Sequence, residues 1–578
     1  MRIGSRTART IRHLADAPNR LLGGQAGGGV ETVDAVVIGG GHHGLVAAAY
    51  LADAGWDVVV LEERERVGGA VDSREVDGWV LDSFSACHPL ALASPVLQAL
   101  ELEDHGLRWS HARTQLAHVS RSGTGPTPAV FRDAASTAAL LAEDDPRDGR
   151  TWSHLVEQYA EIKGPLLDAI LTRWPPVAEA ARLAHAVGVA ELPDFLRFAL
   201  LPTTRMGEEL FHGRAGRELM AGNAMHADAP PTAAVSGMYG WLMTMLAQDV
   251  GFPSPQGGTR ELAAALRRRA EAAGARVETG VSVTRVAVRG SRAHGVETND
   301  GRRLHVRCAV VADTSAPMLY ERLLDDRDVP PGLRARLRAF EWDLPTVKLN
   351  YRLAEPVPWS APEARGAGVV HAGRDVPGLV QWSAELEAGL VPERPFGDET
   401  RLVPERPFAL IGQMSSIDPT RSPDGTETMW LYTHLPRGCT DPEAAQTLTR
   451  HSEEMLDEFA PDWRDLVIDR WVQTPQGLEA DNANLGDGGV GGGTQQLLQQ
   501  AIWRPVAGLG GPWTHIRGLY LGSAAIHPGG GVHGGCGYLA ARAALADAGA
   551  AGALVSRVRT SALRRFHDRP HPAWTARV

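Results

Sequence analysis

The sequence predicts an α/β protein in which a nucleotide-binding domain, built from separated segments, is joined to a mixed α+β domain. Three observations support this fold class. A glycine-rich strand–helix–strand pattern begins near residue 33, glycines followed by a helix and a strand return near residue 255, and a buried strand with a glycine-rich turn follows near residue 518. The 578 residues are also too many for one compact core.

The first of these patterns is a parallel βαβ unit. Residues 35–38 predict a short buried strand, residues 45–55 predict a helix that ends at Gly55, and residues 57–63 predict a second buried strand. Glycine at a helix end adopts the left-handed conformation without steric cost. Strand, helix and strand within about 30 residues are typical of a parallel sheet.

Sequence patterns also predict the secondary structure and the domain boundaries of the rest of the chain. Residues 91–249 are predicted to be largely helical, and residues 292–315 predict a hairpin and another buried strand. Residues 345–353 and 426–436 predict strands of the second domain. The expected boundaries are a disordered basic leader, 1–30; the nucleotide-binding domain, 31–90, 250–340 and 475–550; the second domain, 91–249 and 341–474; and a basic tail, 551–578.

Composition and charge narrow the function classes. The net charge of -11 argues against general nucleic-acid binding. The four cysteines share no CxxC spacing, so reduced thiols and a cytoplasmic location are expected. No run approaches the roughly 20 apolar residues of a membrane span. The basic ends are predicted either to contact an anionic membrane surface or to stay solvated, and the repeated LVPERPF segment predicts a duplicated surface loop.

A GxGxxG motif links the first predicted strand to the helix. It consists of Gly39, Gly41 and Gly44, and Glu62 ends the next strand, as in a dinucleotide-binding site. Gly39 permits the tight turn, Gly41 lets the backbone approach a pyrophosphate, and Gly44 lets helix and strand pack closely. The helix N-terminus offers N–H groups to the phosphates, and Glu62 can accept hydrogen bonds from ribose hydroxyls.

Two further glycine-rich stretches distinguish between dinucleotides. The stretch ERERVGGAV contains Arg64, Gly68 and Gly69, and LYLGSAAIHPGGGVHGG lies near the end of the chain. Both resemble motifs of the flavoprotein oxidoreductases that share the phytoene desaturase and amine oxidase fold. An arginine-rich turn followed by paired glycines is not part of the general NAD fingerprint.

The sequence is similar to the bacterial phytoene-dehydrogenase-like group of that superfamily. The resemblance runs from about residue 33 to residue 550 and is strongest at both ends. His43 stands where the group commonly has asparagine, and Ala70 stands where amine oxidases have arginine. The second departure argues against an amine oxidase activity.

The resemblance implies a Rossmann-like FAD-binding domain and noncovalent FAD. Arg64 would reach the ribose and phosphate side of the adenosine, and Val283 would present its backbone to the adenine. Gly522 follows a buried strand, and Gly531 would let the backbone pass against the isoalloxazine ring. A helix beginning near Val532 would direct its positive N-terminal end at the flavin N1–C2=O edge.

Lys348 is the candidate catalytic residue. It is one of only two lysines, and strand alternation places it on the face opposite Val347 and Leu349. A buried lysine can lose its proton, whereas an arginine cannot. The resemblance implies a position near flavin N5, where amine oxidases carry a lysine on a similar strand. The alternative is a strand lysine whose ammonium group lies in solvent.

Two histidines are candidates for the substrate pocket. His434 is expected to line it, and His527 either faces the flavin or shapes the turn that follows. The adjacent His42 and His43 lie in the phosphate turn, and no metal site is predicted. The amphipathic stretch 192–202 is predicted to pack in the core, with insertion into a membrane or capping of an apolar tunnel as the alternative.

These observations predict a FAD-dependent oxidoreductase of secondary metabolism. We expect a dehydrogenase or desaturase that transfers hydride from a long apolar polyene or isoprenoid-type substrate to flavin N5. No second GxGxxG motif directly follows a strand, so no separate NAD(P)H domain is predicted. One alternative is a reductive cyclase of polyene tetramate macrolactams, with NADPH as a transient reductant. The other is a non-catalytic lipid escort like the Rab GDP-dissociation inhibitors, which the intact glycine motifs disfavour.

Overall fold

The computed structural model describes residues 31–121, 125–388 and 403–569. The predicted leader, the first copy of LVPERPF and the chain beyond residue 569 lie outside these described residues. The strands of the described chain are β1 (Glu31–Ile38), β2 (Val58–Glu62), β3 (Ser73–Val76), β4 (Trp79–Asp82), β5 (Trp109–Ser110), β6 (Thr114–Val119), β7 (Ala129–Phe131), β8 (Ser254–Pro255), β9 (Arg276–Thr279), β10 (Val283–Arg289), β11 (Arg292–Thr298), β12 (Arg303–Ala312), β13 (Thr346–Leu353), β14 (Ala367–Ala372), β15 (Ala409–Gln413), β16 (Glu427–His434), β17 (Val467–Gln473) and β18 (Leu519–Leu521).

Helices connect and cover these strands. In chain order they are α1 (His42–Asp53), α2 (Pro89–Ala93), α3 (Pro95–Gln98), α4 (Ala134–Asp144), α5 (Pro146–Ile170), α6 (Val177–Val187), α7 (Leu192–Leu200), α8 (Thr203–Leu210), α9 (Arg214–Ala224), α10 (Ser236–Asp249), α11 (Arg260–Ala272), α12 (Pro331–Leu337), α13 (Val376–Ala388), α14 (Met414–Ile417), α15 (Pro442–Phe459), α16 (Pro475–Asp481), α17 (Gly535–Ala548) and α18 (Ala550–His567). The α/β fold class expected from the sequence is confirmed.

A seven-stranded sheet carries the glycine motifs. Its strand order is β10–β11–β12–β1–β2–β9, and β18 also pairs with β12. The strands β1, β2, β9, β12 and β18 run parallel, whereas β10 and β11 form an antiparallel extension. Helices α1, α11 and α17 pack together over one face. Because both faces of the sheet are covered, β2 is buried along its whole length.

A second seven-stranded sheet forms the core of the other domain, in the order β17–β13–β16–β15–β14–β6–β7. The two runs predicted as strands, 345–353 and 426–436, form the antiparallel pair β13 and β16. The stretch 91–249 is largely helical, as predicted, but it also contains β6 and β7, which the sequence pattern did not indicate. Strand β6 is buried on both faces. Its sequence therefore lacks the alternation of apolar and polar residues that marks a half-buried strand.

The residues expected to form a basic tail begin with helix α18. His567 is fully buried, and the Arg336 guanidinium lies 4.8 Å from the centre of the Phe566 ring. The described part of the tail therefore packs against α12 of the first domain. Within the described residues, no single helix is long and apolar enough to cross a membrane. In the part of the chain that the structure describes, the pair α17 and α18, bent by 112°, meets that criterion jointly.

Candidate functional site

The GxGxxG turn is packed too closely for side chains. A Cβ atom at Gly41 would lie 2.5 Å from the Asp313 carboxylate, and one at Gly44 would lie 2.3 Å from the Gly39 carbonyl oxygen. Gly39 adopts a φ of +92°, which side chains rarely allow. Gly41 caps α1 without any side-chain acceptor. The first N–H groups of the helix are thus suited to phosphate oxygens.

Glu62 lies beside this turn at the end of β2. Its carboxylate accepts hydrogen bonds from the backbone N–H groups of Gly40 at 2.7 Å and Arg64 at 2.9 Å. Burial raises its pKa. Each carboxylate oxygen retains a second lone pair, so Glu62 can still accept from a ribose hydroxyl, as the motif predicts.

The second glycine motif packs directly on the first. Gly41 and Gly68 form a parallel β-bridge, and a Cβ at Gly68 would lie 2.3 Å from the Val71 carbonyl oxygen. Arg64 donates to the Gly69 carbonyl oxygen at 3.3 Å and lies 3.5 Å from the Asp72 carboxylate. The guanidinium is therefore held against the glycine pair.

The third motif follows β18 beside the same turn. Gly522 donates to the Ala312 carbonyl oxygen at 2.8 Å, and a Cβ there would meet Val311 at 2.9 Å. Gly531 adopts a φ of +111°. The helix expected to begin near Val532 begins at Gly535 instead, because the glycines 529–531 and 534 extend the turn by about three residues.

One cavity of about 510 Å³ brings most of the predicted residues together. Of the sequence-predicted site residues, it is lined by Gly39, Gly41, Glu62, Arg64, Gly69, Val283, Lys348, Gly531 and Val532. Gly44, Gly68 and Gly522 are absent from the wall, and their contacts with neighbouring backbone and side chains place them in the packing behind it. The cavity therefore runs from the three glycine motifs to the second sheet.

Lys348 lies in the cavity wall, and its side chain is buried rather than in solvent. Its Nζ donates to the carbonyl oxygens of Asp82 at 2.5 Å and Phe84 at 3.2 Å. Burial lowers the pKa of Lys348 to about 7. The amine can therefore gain or lose a proton near neutral pH at the boundary between the two domains.

The two predicted pocket histidines do not line the cavity. His434 lies one layer behind it and is reached through Asp228, whose carboxylate is 3.0 Å from His434 Nε2. Burial opposes the charged imidazolium, but the Asp228 carboxylate outweighs burial and raises the pKa of His434. His527 packs edge-on against Trp174, with ring centres 6.0 Å apart. His434 is the last residue of β16 and His527 lies six residues after β18, but neither side chain is part of the cavity wall.

Asp313 is a cavity residue that motif reasoning missed. It follows β12, and its carboxylate accepts the Gly44 N–H at 2.8 Å. Burial raises the pKa of Asp313 to about 7 against the effect of this hydrogen bond. The rule that ligands bind at the carboxyl ends of parallel strands would have identified it. No comparable sequence signal marked the lining residues Asp228 and His226.

The residues present fit FAD. The glycine turns allow close approach of a pyrophosphate, the uncapped helix end favours its charge, and Glu62 is placed for a ribose. These features define a class, the FAD-dependent oxidoreductases with a Rossmann-like domain. The chain also matches the model of the family described as flavin containing amine oxidoreductase over residues 44–545. The protein therefore belongs to this family of FAD-dependent enzymes.

Similar proteins and a similar solved structure support this family assignment. Rat pyridine nucleotide-disulfide oxidoreductase domain-containing protein 2 is 27% identical over 89% of this chain and 93% of its own length. The zeta-carotene-forming phytoene desaturase of Myxococcus xanthus is 25% identical over 86% of this chain and 90% of its own. The crystal structure of an oxidoreductase from Methanosarcina mazei has a TM-score of 0.56 and 16% identity, covering 89% of this chain and 99% of that one. The resemblance to phytoene-desaturase-like flavoproteins is confirmed.

Proposed function

We propose that the protein is a dehydrogenase or desaturase of a long apolar polyene or isoprenoid-type substrate. The observation that carries the proposal is the apolar part of the cavity wall, contributed mainly by α5, α10 and the second sheet. It includes Leu90, Ile170, Leu171, Leu242, Met243, Phe252, Val369 and Trp430. Burial of hydrocarbon against such a wall contributes about 25 cal/mol per Å². The desaturase named among the relatives supports the same substrate class.

Bound FAD supplies the hydride acceptor at N5. In the proposed arrangement, the glycine turn before α1 holds the pyrophosphate, Glu62 holds the ribose of the adenosine, and Val283 lies at the adenine. Lys348 and the turn at Gly531, which line the same cavity, would hold the isoalloxazine ring. Lys348 keeps its amine between two carbonyl oxygens, and a pKa near 7 suits exchange of a proton with a cavity water.

The direction of the reaction in this proposal is oxidation of the substrate. The GxGxxG spacing recurs at Gly529, Gly531 and Gly534, but this turn is part of the third glycine motif and opens no further βαβ unit. A dedicated NAD(P)H domain normally carries its own strand–GxGxxG–helix unit. Oxygen or a quinone would then accept the electrons. A reductive enzyme would instead take electrons from NADPH, so NADPH would bleach the flavin and phytoene would not be oxidised.

The test is incubation of the FAD-loaded protein with phytoene in detergent micelles, in the presence of oxygen or a soluble quinone. The expected product has two hydrogens fewer than phytoene for each new double bond, as measured by mass spectrometry and by a red-shifted absorption. A primary alkylamine serves as the control substrate. Turnover of the amine without turnover of phytoene or another polyene would contradict the proposal.

A lipid surface is the proposed source of the substrate. Leu196 and Leu200 of α7 are 55% and 58% exposed, although Phe198 of the same helix packs on Trp241. Val189, between α6 and α7, is 80% exposed. These helices follow directly after the cavity residues Ile170 and Leu171. We infer peripheral contact of this helical pair with a membrane, because an apolar substrate partitions into lipid.

A further inference from the structure

Two carboxylates line the cavity beside its apolar wall, and the function proposed above uses neither of them. Asp228 lies after α9, and Asp343 lies just before β13. The Asp228 side chain is 13% exposed and Asp343 is 4% exposed, and the exposed part faces the cavity that both residues line. His226, two residues before Asp228, stacks on Phe252 of the apolar wall, with ring centres 5.4 Å apart. The carboxylates therefore adjoin the proposed hydrocarbon site.

A histidine behind the cavity wall balances the charge of Asp228. Asp228 Oδ1 lies 3.0 Å from Nε2 of His434. The carboxylate raises the pKa of His434 against the effect of burial and so favours the charged imidazolium. A carboxylate has about four acceptor sites, and His434 occupies one of them. The others can accept hydrogen bonds from a group in the cavity.

A glycine turn links Asp343 to a buried arginine. Asp343 Oδ2 accepts the N–H groups of Gly491 at 2.8 Å and Gly493 at 3.0 Å. The carbonyl oxygens of the same two glycines accept hydrogen bonds from the Arg504 guanidinium, each at 3.1 Å. Among the described residues, Asp343 Oδ1 receives no hydrogen bond, because both of these bonds use Oδ2. Asp343 is thus a buried carboxylate with one oxygen available to a ligand.

The charges around the two carboxylates decide which ligand they suit. His434 and Arg504 are buried, and neither lines the cavity. One cation therefore stands behind each carboxylate, and little negative charge is left for a ligand to neutralise. An ammonium group would bring a further buried positive charge, which is costly without its own partner. A neutral hydrogen-bond donor avoids that cost.

A tyrosine hydroxyl adds a hydrogen-bond donor at the same place. Tyr432 of β16 lines the cavity two residues before His434, so both side chains lie on one face of the strand. The two rings pack edge-on, with centres 5.5 Å apart. Burial, together with the Asp228 carboxylate, raises the pKa of Tyr432 well above its usual value. The hydroxyl therefore keeps its proton and can donate to an oxygen atom of a ligand.

Asp228, Asp343 and Tyr432 form what we call the polar end of the cavity, and it lies beside Lys348. Lys348 of β13 is directly opposite Tyr432, and the next pair with the same orientation is Thr346 and His434. Successive pairs of this kind are separated by about 7 Å. The polar end is therefore about one pair along the sheet from the amine that the proposed function places at the flavin.

We propose that the polar end of the cavity binds a hydroxyl group carried near one end of the isoprenoid-type substrate. The hydroxyl donates to a carboxylate oxygen and accepts from Tyr432, while the hydrocarbon chain lies on the apolar wall. This inference rests on the proposed function and narrows its substrate to a hydroxylated isoprenoid. Because the polar end lies beside Lys348, the bond that is oxidised is close to the hydroxylated end.

Two matched isoprenoids test the polar end in the oxidised, FAD-loaded protein. Nerolidol and β-farnesene share one carbon skeleton, but only nerolidol carries a hydroxyl group. This hydroxyl is tertiary and cannot be oxidised to a carbonyl. The Kd of each compound is measured in the same detergent micelles from the change in flavin absorption. The ratio of the two Kd values then reports the contribution of the hydroxyl group.

Asp228→Asn is expected to reduce the preference for nerolidol about tenfold, because a hydrogen bond to a carboxylate is stronger than one to an amide. Asparagine also tolerates the left-handed φ of +50° at this position, and the affinity for β-farnesene should stay unchanged. Asp249→Asn is the matched control, because Asp249 pairs with Lys163 at the protein surface. An unchanged Kd ratio in Asp228→Asn would overturn the inference.

Tyr432→Phe tests the donor to the ligand without a change of charge. The ring stays in place, and the preference for nerolidol is expected to fall about fivefold through loss of one neutral hydrogen bond. The flavin content of both variants should match that of the wild type. Loss of flavin in Asp228→Asn would assign this carboxylate to the cofactor and overturn the inference.

Farnesylamine distinguishes a hydroxyl group from an ammonium group. We expect the wild type to bind nerolidol more tightly than farnesylamine at neutral pH, because the two carboxylates already have cationic partners. Tighter binding of the amine would overturn the assignment to a hydroxyl group.

Failure of this inference can be told apart from failure of the proposed function. If nerolidol binds through Asp228 but no polyene reduces the flavin, the hydroxyl site stands and the proposed function fails. If phytoene reduces the flavin but the Kd ratio does not depend on Asp228, only the hydroxyl site fails.

Discussion

Gly44 illustrates how one missing side chain determines cofactor binding. A methyl group there would lie 2.3 Å from a backbone carbonyl oxygen that cannot move without opening the turn. We expect Gly44→Ala to retain less than about a tenth of the wild-type flavin, because the helix N-terminus would be displaced from the phosphates. Gly164→Ala is the control, since Gly164 lies in α5 with no atom within 4 Å of the added Cβ. Flavin content per protein after gel filtration distinguishes the two.

The buried Lys348 amine should make the free energy of unfolding depend on pH, and the direction of that dependence follows from its pKa. Its pKa is about 7 in the folded protein and about 10.4 in an unfolded chain. Between these values the unfolded state binds more protons, so stability rises with pH. The stability of the wild type should therefore rise relative to Lys348→Met by up to about 1.4 kcal/mol per pH unit from pH 7 to 10. Urea unfolding of both proteins measures the difference, and a difference that falls over this range would contradict the buried neutral amine.

At the scale of elements, a buried ion pair joins the two domains. Arg421 lies 2.8 Å from the Asp82 carboxylate of β4, and both side chains are fully buried. Arg421→Met leaves Asp82 without its charge partner, and we expect it to cost about 3–5 kcal/mol. Arg205→Met should cost less than about 1 kcal/mol, because the Arg205–Glu209 pair is exposed. Equal losses in denaturant unfolding would refute a structural role for the buried pair.

Local sequence patterns were sufficient to predict some helices and strands but not others. The βαβ unit, the hairpin β11–β12 and the separate strands β13 and β16 could be predicted, because the pattern that marks each of them lies within one short segment. Strands β6, β14 and β15 could not, because strands buried on both faces lose their alternation and their partners lie far along the chain. The start of α17 was predicted about three residues early, since a glycine-rich turn has no periodicity.

The residues of the candidate site also divide into those that sequence patterns predict and those that they do not. The glycine motifs and Glu62 could be predicted because a dinucleotide is bound by spacing within one segment. Asp228 and His226 could not be predicted, because tertiary packing alone brings them to the cavity. His434 and His527, predicted as pocket residues, are not part of the cavity wall, since sequence position near a motif does not fix the direction of a side chain.

At the scale of the whole molecule, the exposed helical pair α6–α7 gives a membrane prediction. Leu196→Glu with Leu200→Glu should reduce co-sedimentation with phosphatidylglycerol vesicles at least tenfold and leave the flavin content unchanged. The matched control is Leu554→Glu with Val558→Glu, on the exposed face of α18. Loss of binding in the control alone would assign the contact to a different face.

The central claim, a flavoprotein that oxidises an apolar polyene, is tested most directly by the visible spectrum of the purified protein under anaerobic conditions. We predict a visible absorption band of oxidised flavin that phytoene or a related polyene bleaches and NADPH leaves unchanged. Rapid bleaching by NADPH together with no response to any polyene would contradict it and favour a reductive enzyme. Absence of the band after reconstitution with FAD would contradict the cofactor assignment itself.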